Sequence, residues 1–276
     1  MNITGKTKFF AVIGDPVSHS LSPAMHNAAF EATGVNAVFL ALKVRQANLG
    51  SAVEGMKSLG FSGFNVTVPH KEAVMSHLDE IDGFAEKVGA VNTVTITGAK
   101  TKGFNTDVQG FKNALTRLVG RPAGLKAVII GSGGAAKAVV TALEQSACGM
   151  TVLARHPRKA KRLLDGKQDG TKCVGLNLKN LEKNLQGADL LVNATPVGLN
   201  AGESPIPPSV LSSGLAVFDL VYRKGGTRLV KTAQALGCRA IDGREMLLFQ
   251  GMKAFEIFTG KKAPEKVMRT AVGERL

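Results

Sequence analysis

From residue 8 onward, short apolar runs alternate with stretches of helical spacing. KFFAVIGDP reads as a strand entering a turn; residues 9 to 13 are apolar throughout, as in a strand covered on both faces. SLSPAMHNAAFEATG reads as a helix with Ser22 as N-cap, Pro23 in the first helical position and Gly34 beyond the end. AVFLALKV is a second strand, 46 to 59 a helix ending at Gly60, and GFNVTVP a third strand that Pro69 closes. On that strand Asn65 and Thr67 share a face, and a helix is expected after Lys71. AVNTVTIT, broken at Gly98, looks like a hairpin arm, and 104 to 120 like a helix with Asp107 in its first turn. RPAGLK is polar and turn-rich and marks a domain boundary. Beyond it come strand AVIIG, helix AAKAVVTALEQS, strand MTVLA, helix RKAKRLL, and strands LLVNATP and AVFDLVY. Residues 245 to 260 form an amphipathic helix too apolar to be a tail. Strands alternating with helices predict an α/β fold with parallel pairing.

Composition narrows the class. The 276 residues suffice for one large or two medium domains, and the 44% hydrophobic content excludes disorder. No apolar run nears the ~18 to 20 residues that span a membrane, and FFAVI is too short for a signal-peptide core. Cys148, Cys173 and Cys238 are scattered, with no CxxC; they read as reduced packing residues of a cytoplasmic protein, with no metal site. The net charge of +14 suits either nucleic acid or anionic small molecules. One Tyr, no Trp and no zinc-finger spacing argue against nucleic acid.

The strongest local signal is KAVIIGSGGAAKAVVTAL. A buried strand leads into Gly131, Ser132, Gly133, Gly134, Ala135 and Ala136, then a helix: G-x-G-x-x-A in the context that a dinucleotide requires. Gly131 allows the tight turn, Gly133 the approach of a pyrophosphate, and Ala136 close packing of the helix, whose N-terminus faces the phosphates. A site for NAD usually has an acid at the end of the next strand. This chain has Ala154, Arg155, His156, Pro157, Arg158 and Lys159. An Arg there suits a 2′-phosphate, so the cofactor expected is NADP(H), held by Arg155 with Arg158 or Lys159 assisting.

Polar clusters remain where strands end or helices begin: Ser18 and Ser20 in GDPVSHSLSP; Asn65, Thr67 and Lys71 in NVTVPHK; Asn92 in AVNTV; Asp107 in NTDVQG. Singly, each is as readily a solvated or capping group. Taken in order, SHSLSP, NVTVPHK, GAVNTV, NTDVQG, GSGGAAKA, NATPVG, DLVY and QGMKAFEIFTG span most of the chain, and the set resembles the shikimate dehydrogenase family.

That resemblance implies reversible NADP-dependent reduction of 3-dehydroshikimate to shikimate, and two domains: an N-terminal α/β substrate domain (1–118 with 246–276, the last helices returning to it) and a Rossmann-like NADP-binding domain (119–245). It implies Lys71 and Asp107 as the catalytic acid/base pair, with Lys71 the proton donor. Substrate contacts fall to Ser18, Ser20, Asn65, Thr67, Asn92, Tyr222 and Gln250. Cofactor contacts fall to the glycine loop, to 154–156 with Arg158 and Lys159, and to Thr195, Leu220 and Gly243. The two serines would face the substrate carboxylate. Gln250, an amide on an apolar helix, wants a partner, and the substrate is the candidate. Ala154 and His156 stand in place of the Asn and Thr of the family's Asn-Arg-Thr, Arg223-Lys224 in place of Asn-Pro, and Leu199 where Met is common. A quinate/shikimate dehydrogenase is the alternative enzyme, and a cofactor sensor without chemistry the alternative class. Monomer and homodimer both remain open.

Overall fold

A computed structural model describes residues 3–164 and 171–273, apart from the Lys159 side chain. The Lys159 contact and the last three residues of the expected first domain therefore lie outside the described residues. In chain order the elements are β1 (Lys8–Gly14), α1 (Ser22–Thr33), β2 (Ala37–Lys43), α2 (Leu49–Ser58), β3 (Phe61–Val66), β4 (Glu80–Ile81), α3 (Gly83–Val88), β5 (Thr93–Thr97), β6 (Lys100–Phe104) and α4 (Asp107–Val119). There follow β7 (Lys126–Ile130), α5 (Gly134–Glu144), β8 (Gly149–Ala154), α6 (Pro157–Ala160), β9 (Lys172–Gly175), α7 (Leu178–Leu185), β10 (Leu190–Asn193), β11 (Ala216–Asp219), α8 (Arg228–Ala235) and β12 (Arg239–Ile241). The chain closes with α9 (Arg244–Thr259) and α10 (Glu265–Gly273). It divides into two compact units, Met1–Gly110 with Leu247–Leu276, and Phe111–Met246. The divisions fall within α4 and α9 rather than at the polar stretch after residue 118. Most of α4 packs in the second unit, where Phe111 stacks on Phe218 at 5.1 Å and 11°.

The first unit holds a six-stranded mixed sheet in the order β2-β1-β3-β5-β6-β4. β1 runs parallel to β2 and β3, and the β5–β6 hairpin turns at Gly98, whose φ is 62°. Four features differ from the sequence expectation. Phe9 is 36% exposed, because β1 is covered on both faces only from Phe10 onward. Ser22 lies inside α1 without a capping bond; the Ser20 hydroxyl accepts its N–H at 3.3 Å. β3 ends at Val66, so Thr67 lies beyond the strand that carries Asn65. After Lys71 the chain makes only a short 3₁₀ turn, Ala73–His77. The open edge of β2 is partly closed by Asn27 of α1, which donates to Phe39 O (3.0 Å) and accepts from Phe39 N (2.8 Å). α9 docks here: Phe255 lies 5.7 Å from Phe30, and Phe258 lies 4.8 Å from Phe10.

The second unit holds six parallel strands in the order β12-β11-β10-β7-β8-β9. Read from β9, this is the strand order 3-2-1-4-5-6 of a dinucleotide-binding sheet. Its central strands, VII of β7 and LLVN of β10 among them, are buried throughout, as helices on both faces require. Among the described residues no helix is long and apolar enough to cross a membrane.

Candidate active site

The Lys71 ammonium meets the Asp107 carboxylate in the first unit, Nζ to Oδ2 at 2.6 Å, with the two side chains 15% and 4% exposed. Each is placed by backbone. The turn that holds Lys71 is pinned by Asp15 N to Val68 O (3.0 Å), His70 N to Thr67 O (2.9 Å) and Val91 N to Lys71 O (2.8 Å). Asp107 opens α4, and Asn105 accepts from Val108 N at 3.2 Å in the turn before it. Asn92 holds the other carboxylate oxygen: its Nδ2 donates to Asp107 Oδ1 at 2.9 Å. The pair is therefore locked on the acid side, while the lysine reaches it from a loop.

Asn92 is a hub. Its Nδ2 is also within bonding distance of Thr106 Oγ1 (2.9 Å) and Gln250 Oε1 (3.2 Å), and its Oδ1 accepts from Thr106 N (2.8 Å). Asn65 spends both amide hydrogens on Asn92 O (3.0 Å) and Thr93 Oγ1 (2.9 Å). Flipping that amide would set oxygen against oxygen, so its orientation is determined. Asn65 Oδ1 is left buried with no partner among the described residues, an acceptor awaiting a donor.

The structure thus brings Asn65, Lys71, Asn92, Asp107 and Gln250 into one network. Gln250 is already held by protein groups at both ends of its amide. Its Oε1 faces Asn92 and Thr106, and its Nε2 donates to Leu247 O at 2.9 Å, which leaves one hydrogen for a ligand. Ser18 is exposed and Ser20 half-buried in the loop before α1. Since Ser20 Oγ accepts from Ser22 N–H, its own hydrogen is free to point elsewhere. The Thr67 methyl packs where a Cβ on Gly14 would intrude, so Gly14 must be glycine. Tyr222 is half-buried in the second unit and packs beside Gly243. Thr93 and Thr106, both buried, went unpredicted. The signal for them is the Asn-Thr pair that occurs at 92–93 and again at 105–106.

In the second unit the residues present fit a dinucleotide. Gly131 has φ of +115°, and a Cβ there would lie 2.8 Å from Ala194 O, so the turn between β7 and α5 admits only glycine. A Cβ on Gly133 would meet nothing within 4 Å, which leaves the loop open above the N-terminus of α5. That terminus carries no side-chain cap, so its N–H groups are free to bind a pyrophosphate. Ala136 is fully buried against the sheet. At the end of β8, Ala154 is buried, and Arg155, His156 and Arg158 are exposed, where an adenosine 2′-phosphate would lie. Thr195 is fixed by Asn193, whose Oδ1 accepts its hydroxyl at 2.7 Å and its N–H at 3.1 Å. Gly243 N donates to Val221 O at 3.1 Å, and its missing Cβ makes room for Leu220 O. Among the described residues no group of three or more His, Cys, Asp or Glu could hold a metal.

Comparison with known proteins fits this geometry. Residues 12–94 match the model of the shikimate dehydrogenase substrate binding domain, 114–199 that of shikimate/quinate 5-dehydrogenase, and 243–272 that of the shikimate 5′-dehydrogenase C-terminal domain. The shikimate dehydrogenase (NADP(+)) of Methanopyrus kandleri is 45% identical over 286 residues, covering 100% of this chain and 98% of that protein. The one from Moorella thermoacetica is 43% identical over 285 residues, covering 99% and 96%. The crystal structure of the Thermus thermophilus shikimate 5-dehydrogenase in complex with NADP(H) and shikimate superposes with a TM-score of 0.87 at 37% identity, covering 98% and 100% of the two chains. On sequence and fold together, the chain belongs to the shikimate dehydrogenase family.

Proposed function

We propose that this protein reduces 3-dehydroshikimate to shikimate, reversibly and with NADP(H), using Lys71 and Asp107 as its acid/base pair. The observation that carries the reading is the 2.6 Å ion pair, seated on the Asn92 hub. Gly131 to Ala135 would hold the pyrophosphate, with Arg155 and Arg158 on the 2′-phosphate. NADPH, when bound, supplies hydride to the C3 ketone of the substrate. As that carbonyl becomes an alkoxide, the Lys71 ammonium stabilises the developing negative charge and gives the oxygen its proton, leaving a neutral amine that takes a proton back from solvent. Asp107 aims the ammonium, and Asn92 keeps Asp107 from turning away. Asn65 Oδ1 accepts a ring hydroxyl, which explains an otherwise orphaned buried acceptor. Thr67 and the remaining Gln250 hydrogen bind further hydroxyls. Ser18 and Ser20 donate to the carboxylate, so the anion is hydrogen-bonded without competing for Lys71. Tyr222 would add a phenol donor. The three free thiols suit a reducing compartment, and we place the protein in the cytoplasm.

The test is the absorbance of the reduced cofactor, with shikimate or quinate offered against NADP⁺ or NAD⁺. Shikimate with NADP⁺ should exceed every other combination. Quinate oxidation with NAD⁺ in excess of it would overturn the reading in favour of a quinate dehydrogenase.

A further inference from the structure

Asp219, at the end of β11, is fully buried, and among the described residues no cation pairs with it. A carboxyl in such a place is costly, and an apolar residue would pack there at less expense of free energy. What an apolar residue lacks is an acceptor. Asp219 Oδ1 takes Asn193 Nδ2 at 2.8 Å and Val221 N at 3.1 Å. Asn193, also fully buried, holds the N–H and hydroxyl of Thr195 through its Oδ1, and its Nδ2 also donates to Val197 O at 3.0 Å. One oxygen therefore gathers the loop after β10 and the loop after β11. These are neighbouring central strands, and their carboxyl ends are where this topology binds ligands. Gly198, at φ of +111°, carries the first loop over the carboxyl; a Cβ there would lie 3.8 Å from Oδ2. Among the described residues Oδ2 itself has no hydrogen-bond partner. Burial pushes the acid up from its ordinary range; the Thr227 hydroxyl offsets part of this without reaching hydrogen-bond geometry, and Asp242 adds to the rise.

We propose that Asp219 is a positioning residue: it ties the Thr195 loop to the Val221–Tyr222 loop and so holds the cofactor end of the site in its binding shape. The inference rests on the reading above, that these loops receive NADP(H).

The test uses the cofactor-free full chain. Asp219→Ala removes the shared acceptor. Asp219→Asn keeps one oxygen for both donors and turns its amide toward Thr227. Calorimetric titration with NADP⁺ should show the alanine variant weaker by about tenfold and the asparagine variant within about threefold of wild type. Hydrogen exchange without cofactor should quicken over 193–199 and 219–223 in the alanine variant alone. At saturating NADP⁺, the shikimate KM should rise by clearly less than the cofactor Kd does, since Tyr222 is the one proposed substrate contact on a freed loop and the others lie elsewhere in the chain. Wild-type affinity and exchange in Asp219→Ala overturn the proposal. So does an asparagine variant as impaired as alanine, or a shikimate KM that rises in step with the cofactor Kd. If Asp219→Ala does not fold, Asn193→Ala cuts one arm only. It must weaken NADP⁺ and free 193–199 while Val221 stays protected, and wild-type NADP⁺ affinity there equally overturns the tie. If the wild type itself does not bind NADP⁺, the functional reading fails, and the exchange data still decide whether Asp219 joins the two loops.

Discussion

His26 should make the first unit sensitive to acid. Its ring is fully buried, stacked on Phe39 at 4.3 Å and 7°, with Phe30 and Phe258 at 6.2 and 6.1 Å. Among the described residues neither ring nitrogen has a hydrogen-bond partner. Burial lowers its pKa from 6.5 to about 3. The native state therefore keeps the ring neutral where the unfolded chain would protonate it. Above the unfolded value nothing is lost. As pH falls below it, the unfolded state binds the proton and stability declines, levelling off below about 3. At about 1.4 kcal/mol per pKa unit, the loss is roughly 2 kcal/mol by about pH 5 and roughly 5 kcal/mol at the acid limit. His26→Leu, close in volume and without a titrating group, should abolish this component and leave stability near neutral pH equal or higher. The assay is urea unfolding by far-UV circular dichroism, since the chain has no Trp and one Tyr. Hydrogen exchange over residues 22–33 assigns the transition to the first unit. Wild type should lose roughly 2 kcal/mol more than the variant between about pH 7.5 and about pH 5. Parallel pH profiles for the two proteins would refute the argument.

Three further outcomes follow from the geometry. Arg155→Ala should raise the NADP⁺ KM by about tenfold or more and leave the NAD⁺ KM near its original value, as initial rates with each cofactor would show. Gly63→Ala places a Cβ 2.6 Å from Val94 O and 2.9 Å from the Phe258 ring, and should lower stability by roughly 1 to 3 kcal/mol in urea titration. Asn92→Leu leaves Asp107 Oδ1 and Thr106 N unsatisfied; kcat should fall by about tenfold or more, and stability by roughly 1 to 3 kcal/mol.

The mostly apolar strands were legible because burial on both faces leaves few polar positions, most of them at strand ends. β7, β8, β10 and β11 all belong to this class. β9 and β12 were not, because KCVG is only half covered and RAI is three residues long. α7 could have been read, since Leu178, Leu181 and Leu185 have helical spacing and Asn177 caps the helix, accepting from Asn180 N at 2.9 Å. Within the site, the glycine loop carries its physics in adjacent residues. Lys71 and Asp107 lie thirty-six positions apart, and no local pattern joins them; their pairing came from family resemblance. The Asn92 hub needs the β5–β6 hairpin to bring Thr106 back to it, which only the folded sheet shows. Asp219 hides in an apolar run, DLVY, where an acid reads as a strand end.

The central claim is that the ammonium of Lys71 supplies the proton. The most direct measurement is kcat of Lys71→Ala at saturating shikimate and NADP⁺. Loss of a positioned acid should lower it by about a hundredfold or more, with a much smaller change in shikimate KM. Wild-type turnover in that variant would contradict the account, whatever the cofactor affinity turned out to be.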